Sequence, residues 1–166
     1  MLPDGRQLVN RARDETNNYR STFGETMPAD SLCRRVSQWV HLHTMYGSVR
    51  PFGCSVILGS YDRDGPRLYS VEPSGTSWGY FATAIGKGAN LAKTELEKLK
   101  LAEMTCREAL VHVARIVLLC HEENKEKAFD IEMSWVCDES NRQHQFVPEN
   151  LRQAALAAAK AQVENA

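Results

Sequence analysis

Between Arg50 and Gly88 the chain alternates repeatedly between runs suited to strands and tight turns, and that alternation restricts its fold more than any other stretch of its 166 residues. After Arg50-Pro51-Phe52-Gly53, the run Cys54-Ser55-Val56-Ile57-Leu58-Gly59-Ser60-Tyr61 is rich in β-branched and aromatic residues, which fit a pleated, half-buried surface. Asp62-Arg63-Asp64-Gly65-Pro66 is a turn cluster, Arg67 to Glu72 alternates like a half-buried strand, and Pro73-Ser74-Gly75 turns the chain into a third run over Ser77 to Ile85. Consecutive hairpins of this kind predict an antiparallel meander of three strands.

Helical patterns flank the meander. From about Asp4 to Tyr19 the sequence is polar and charged with Leu8, Val9 and Ala12 on one side, and the pattern stops near Phe23-Gly24. Pro28 suits the first turn of a second helix that runs to Tyr46-Gly47 with an apolar stripe of Leu32, Val36, Trp39, Val40 and His43, and the two helices read as an antiparallel pair. Beyond Gly86-Lys87-Gly88, residues 89–100 read as an amphipathic helix. Thr105-Cys106-Arg107-Glu108 has the spacing of a capping box opening another, apolar almost all round and therefore expected to be buried. The charge run Glu122 to Lys127 reads as a solvated loop. Phe129 to Cys137 alternates as a strand, His144 to Val147 is expected to pair with it, and Pro148 starts an alanine-rich last helix. Strands in blocks between helix pairs predict an α+β fold of layered helices and sheets, in a single domain spanning 1–166.

Twenty Lys and Arg against twenty-one Asp and Glu give a formal net charge of −1, which supplies no field to draw the chain to nucleic acid or to an anionic membrane. The start of the chain turns charged at once, as no signal peptide does, and the apolar stretch around Val113 to Cys120 is broken by Arg115 and too short to span a bilayer. Cytosol or nucleus is the expected location. Five cysteines, Cys33, Cys54, Cys106, Cys120 and Cys137, form no CxxC pair and are expected to be reduced thiols.

Candidate chemistry is sparse. Cys54 falls in an apolar strand and Cys120 at the end of an apolar helix, where a thiolate is disfavoured, so packing roles are expected. His41 and His43 lie two residues apart on one helix, about 200° around its axis, and so cannot share a metal. His121-Glu122-Glu123 lacks the second histidine of a zinc-protease helix, and a helix C-terminus suits its imidazole instead. Gly86-Lys87-Gly88 lacks the spacer and Gly-Lys-Ser/Thr ending of a phosphate loop; a strand-to-helix turn where small residues allow tight packing is expected. No catalytic, cofactor-binding or metal-binding residue is assigned, and no cofactor is expected.

Several strings do carry a resemblance. Arg50-Pro51-Phe52-Gly53-Cys54, Leu58-Gly59-Ser60-Tyr61-Asp62, Leu68-Tyr69, Pro73-Ser74-Gly75 and Ala84-Ile85-Gly86-Lys87-Gly88 resemble the central hairpins of eukaryotic proteasome alpha subunits. Lys93 to Leu99, Glu103 to Glu108 and Lys127 to Trp135 are similar to the type-3 branch of that family, called G in plants. The resemblance implies the four-layer αββα sandwich of N-terminal nucleophile hydrolases, here lacking the first strands, since it starts at Leu2-Pro3-Asp4-Gly5-Arg6, the approach to the family's first long helix. The gating tail, an earlier helix and several strands would precede this point, so the chain is expected to match roughly the last two thirds of a subunit.

The resemblance further implies a non-catalytic place in the alpha ring of the core particle, supporting ubiquitin-dependent degradation. The partners would be neighbouring alpha subunits, the beta ring and regulatory particles. Its first helix pair, about Asp4 to Gly47 here, would face the beta ring, with Tyr19, Phe23 and Trp39 as candidate anchors, although a core position for Trp39 is equally compatible with its pattern. Two alternatives stand beside this: an interaction module that binds ring neighbours without completing assembly, and a stand-alone N-terminal nucleophile hydrolase, for which Met1-Leu2 supplies no Thr, Ser or Cys nucleophile.

Overall fold

A computed structural model describes residues 2–124 and 130–164, which fall into two units, Met1–Tyr80 and Phe81–Ala166. Residues 125–129, which take in part of the expected loop and the expected start of a strand at Phe129, and residues 165–166 lie outside the described residues.

In the first unit, α1 (Leu2–Phe23) packs on α2 (Ala29–Met45), and α2 packs on the sheet β1 (Val56–Asp62), β2 (Gly65–Val71) and β3 (Ser77–Gly79). The predicted meander is antiparallel throughout, with Leu58 opposite Tyr69 and Ser70 opposite Trp78. Pairing of this kind puts Val56, Leu58, Tyr69 and Val71 on one face, and that face joins Leu8 of α1 and Cys33, Val36 and Val40 of α2 in the core, together with Phe52. The opposite face leaves Ile57 and Trp78 exposed. Leu8 is fully buried, whereas Val9, expected on the same side, is exposed, because adjacent helical residues point about 100° apart.

The third strand is shorter than expected. It stops at Gly79 because a strand exists only while it has a ladder to join, and among the described residues its partners are Tyr69, Ser70 and Val71. One further bond, from the Tyr80 amide to the Leu68 carbonyl (2.9 Å), ends the pairing.

In the second unit, α3 (Ala89–Glu97), α4 (Cys106–Asn124) and α5 (Glu149–Glu164) accompany a two-stranded ladder, β4 (Ser134–Trp135) and β5 (Gln145–Phe146). The capping box forms as the spacing predicts: the Glu108 amide donates to Thr105 Oγ1 (3.3 Å) and the Thr105 amide to Glu108 Oε2 (2.8 Å). Alanines set the α4–α5 packing, with Ala114 and Ala159 both fully buried beside Met133 and Val147. The expectation that α4 is buried all round does not hold. Ala114 and Ile116 are buried, but Val113 and Val117 are exposed, since the packing partners of α4 within this unit leave one stripe of it uncovered.

The β4–β5 pair is where the alternation placed it but much shorter. Only Ser134 with Phe146 and Trp135 with Gln145 pair, and the Val147 amide adds a bond to the Met133 carbonyl (3.0 Å). Beyond Cys137 the backbone winds into a short 3-10 turn, Asp138–Ser140, with Asn141 and Arg142 at positive φ; on the other strand Pro148, which has no N–H, leads into α5.

Candidate functional site

The pairing of α1 with α2 is built from contacts that run in opposite chain directions, as an antiparallel helix pair requires. Asp4 reaches Arg50 just past α2, Arg11 lies over Trp39 with its guanidinium 4.3 Å from the ring centroid, and Glu15 takes an ion pair from Arg35 (3.0 Å). Glu15 is buried and also bonds Arg11, so two cations compensate one desolvated carboxylate.

Asp4 forms the other clasp. Its carboxylate accepts from Arg50 Nη1 (2.9 Å) and Nη2 (2.8 Å) and from the Gly53 amide (2.8 Å), joining the start of α1 to the segment that leads into β1. The Arg50 hydrogen bond first, and the Gly53 amide second, hold the Asp4 carboxyl well below the usual carboxylate range, against the opposing effect of burial. A carboxylate depressed in the folded state stabilises the fold above its unfolded value, near pH 4, and loses that contribution as pH falls through the folded value. Asp4→Asn is therefore expected to lower the urea midpoint at pH 7, with the gap from wild type closing below about pH 4. A gap independent of pH down to pH 2 would show that the charge of Asp4 is not what holds the clasp.

Outside these clasps, the solvent face of α1 carries Leu2, Val9, Arg6 and Arg13 around an open hollow. At its end Tyr19 and Phe23 stack with centroids 4.5 Å apart, and Phe23 is 60% exposed. Trp39, by contrast, packs against the buried cluster of Leu8, Val36 and Val40, with His43 at 4.8 Å. The three candidate anchors thus separate: Trp39 packs on the core, Phe23 is exposed at the helix end, and Tyr19 stacked on it is half-buried.

Sequence-selected polar groups are dispersed. His41 Nδ1 contacts the Ser74 carbonyl (3.1 Å), while His43 bonds the Trp39 carbonyl (2.9 Å) and packs on Phe52 (4.6 Å), so the two rings serve different neighbours. His121 lies in the last turn of α4. Gly86 and Gly88 both sit at positive φ, at +89° and +76°; at Gly86 nothing surrounds the position where a Cβ would stand, so backbone conformation and not tight packing calls for that glycine.

All five cysteines are free thiols. Burial pushes the Cys33 thiol up. Cys54 is half-buried just before β1, and the half-buried Cys120 thiol donates to the Gly88 carbonyl (3.6 Å). Cys106 is raised by desolvation of its sulfur and then by the Cys137 thiol beside it, with Glu139 and Asp138 adding to the shift. Among the described residues no three His, Cys, Asp or Glu side chains gather as a metal site, and no helix is long and apolar enough to cross a membrane. Sequence reasoning passed over the Asp4–Arg50 clasp and the Arg107–Glu139 ion pair; neither has a local signal, because each joins residues far apart in the chain.

What the arrangement offers is a braced helix pair with an exposed aromatic end. Residues 1–136 match the family described as Proteasome subunit. The chain belongs to that family. Relatives named Proteasome subunit alpha type-3 from Spinacia oleracea, Oryza sativa subsp. japonica and Arabidopsis thaliana are 61%, 56% and 55% identical over 164 residues. Each comparison takes in 99% of this chain and 66% of the relative, so this proteasome-family chain spans just under two thirds of their length. The α+β content and the antiparallel meander agree with the fold that the resemblance implies.

Proposed function

We propose that this chain takes a place in the alpha ring of a proteasome core particle, contributing contacts and no peptide-bond chemistry of its own. The observation that carries the reading is 61% identity, over 99% of the chain, to a relative named Proteasome subunit alpha type-3. The partners are neighbouring alpha subunits and the beta ring, with regulatory particles meeting the assembled ring; nucleic acid and membrane are not among them, in keeping with the net charge of −1. Its work belongs to ubiquitin-dependent protein breakdown in cytoplasm and nucleus. Residues 1–166 act as one alpha-type domain, a reading supported by a family match that runs from the first unit into the second.

The test is expression of the tagged chain in eukaryotic cells, followed by non-denaturing electrophoresis and an overlay with a fluorogenic peptide. Co-migration of tag and hydrolysis supports the ring place. A tag recovered only with single subunits, or only as free chain, overturns it and in the first case leaves the pairing module as the function.

Within the same reading, Tyr19 and Phe23 anchor the chain on its neighbour in the beta ring, since the exposed Phe23 ring, backed by the half-buried Tyr19, supplies contact area at little entropic cost. Phe23→Ala is expected to leave the urea midpoint nearly unchanged, within about 0.5 kcal/mol, while lowering the fraction of tag in assembled particles. Unchanged incorporation would remove Phe23 from the interface.

A further inference from the structure

Leu2, Val9, Thr16 and Phe23 stand seven residues apart along α1, and Arg6, Arg13 and Arg20 form a second row at the same interval. Seven residues make two helical turns less about 20°, so each row runs nearly straight along the helix with a rise of about 10.5 Å between members. Leu2 and Arg6, Val9 and Arg13, Thr16 and Arg20 are each four places apart, which sets the rows side by side on one face. Leu2, Val9, Phe23 and all three arginines are exposed; Thr16 is half-buried, its hydroxyl donating to the Arg13 carbonyl (2.8 Å).

Charge and shape together define what this face can meet. The carboxylates of α1 lie elsewhere: Asp4 is clasped to Arg50, and Glu15 to Arg11 and Arg35, both buried on the side toward α2. Asp14 points about 140° away from Val9 around the helix axis. The outward rows therefore carry three like charges and no acid, and among the described residues none of the three arginines has a carboxylate partner. Leu2, Arg6, Val9 and Arg13 border an open hollow with Gly5 in its floor, where the place of a Cβ has nothing within 4 Å. A side chain from outside can seat there. An apolar row beside a row of charges, both at seven-residue spacing, is the layout of a helix–helix seam in which the charges select the partner.

We propose that the solvent face of α1 seats an acidic amphipathic helix of a partner protein. Its Asp or Glu side chains, seven residues apart, meet Arg6, Arg13 and Arg20, while its apolar residues cover Leu2, Val9 and Phe23. Pairing relieves the repulsion along the arginine row and rejects a basic helix offered to the same face. A polyanion such as nucleic acid would meet the arginines but leave the apolar row in water; an acidic helix satisfies both rows. The inference deepens the ring reading by naming the chemistry of the neighbour's segment, and rests on that reading for which subunit supplies it.

The test uses the tagged full chain in eukaryotic cells with photoreactive benzoylphenylalanine in place of Val9. After irradiation and denaturing purification, the cross-linked peptide is sequenced by mass spectrometry. The expected product joins α1 to a segment with acidic residues seven apart and apolar residues between them. Arg13→Glu is expected to lower its yield by roughly fivefold or more, and changing the facing acid of the partner to lysine to restore it. Arg13 is exposed and makes no ion pair, so this variant is expected to keep the wild-type urea midpoint. Arg63→Glu, at an exposed turn away from α1, is expected to leave the yield unchanged. A yield indifferent to Arg13→Glu, attachment to a neutral or basic segment, or no cross-linked peptide would overturn the proposal. So would sedimentation with phosphatidylserine vesicles that Arg13→Glu abolishes, which would make the face a lipid contact. An acidic-helix cross-link in a chain absent from hydrolysing particles refutes the ring place and keeps the acidic helix; entry into those particles without such a cross-link does the reverse.

Discussion

Gly75→Ala is expected to destabilise the first unit by about 2–5 kcal/mol, because strain and overpacking act at the same atom. Gly75 sits at φ +84°, a conformation that costs any residue bearing a Cβ. A Cβ built there would also lie 2.5 Å from the Cβ of His41 and 2.9 Å from its Cα and amide nitrogen. Those are atoms of a helix in mid-course, so they cannot swing aside as the tip of a long side chain could. The turn is seated on α2 by other bonds as well, from Ser37 Oγ to the Gly75 carbonyl and between His41 Nδ1 and the Ser74 carbonyl (3.1 Å). Alanine would therefore have to lift the whole 72–76 turn. Urea unfolding checks this: a lower midpoint at unchanged slope is the expected result, and a loss under about 1 kcal/mol would show that the turn moves freely on the helix.

Leu8→Ala is expected to cost about 3 kcal/mol, in the range found when a fully buried leucine leaves a cavity that its surroundings only partly fill. Leu8 is 1% exposed, and the residues around it, Val36, Val40 and Phe52, come from α2 and from the loop after it. Val9→Ala, one position along and 45% exposed, serves as the control and is expected to change stability by less than about 0.5 kcal/mol. Equal losses at the two positions would mean that α1 does not present a single face to α2. The same unfolding measurement separates the two outcomes.

These two sites mark how far residue patterns reach. Leu8 is visible in the sequence as an apolar position on a polar helix, but Val9 is just as apolar, and only the rotation of α1 against α2 distinguishes them. Pro73-Ser74-Gly75 is visible as a turn, yet the approach of His41 to Gly75 is not, since it depends on where α2 lies across the sheet. Length of strands is likewise a tertiary property. The alternation from Ser77 to Ile85 and toward Cys137 satisfies the strand pattern, but backbone groups pair only where a neighbouring strand is present, and the ladders close after three and two residues.

The sequence by itself determined what is local or repeated at short range. The turn chemistry at Asp62 to Pro66 and at Pro73 to Gly75, the stripe from Leu32 to Val40 and the capping box at Thr105 and Glu108 each act within a few residues, so the order of helices and strands and the α+β class follow from them. Family strings such as Arg50 to Cys54 pointed to the same fold and to the proteasome subunit family. Tertiary structure alone decided which distant groups meet: Asp4 with Arg50 and Gly53, Glu15 with Arg35, Trp39 with the core, and Arg107 with Glu139. The reason is physical. A cap or a turn is satisfied by the backbone that carries it, whereas a clasp between remote residues exists only after packing has excluded water and set two elements at one particular distance and rotation.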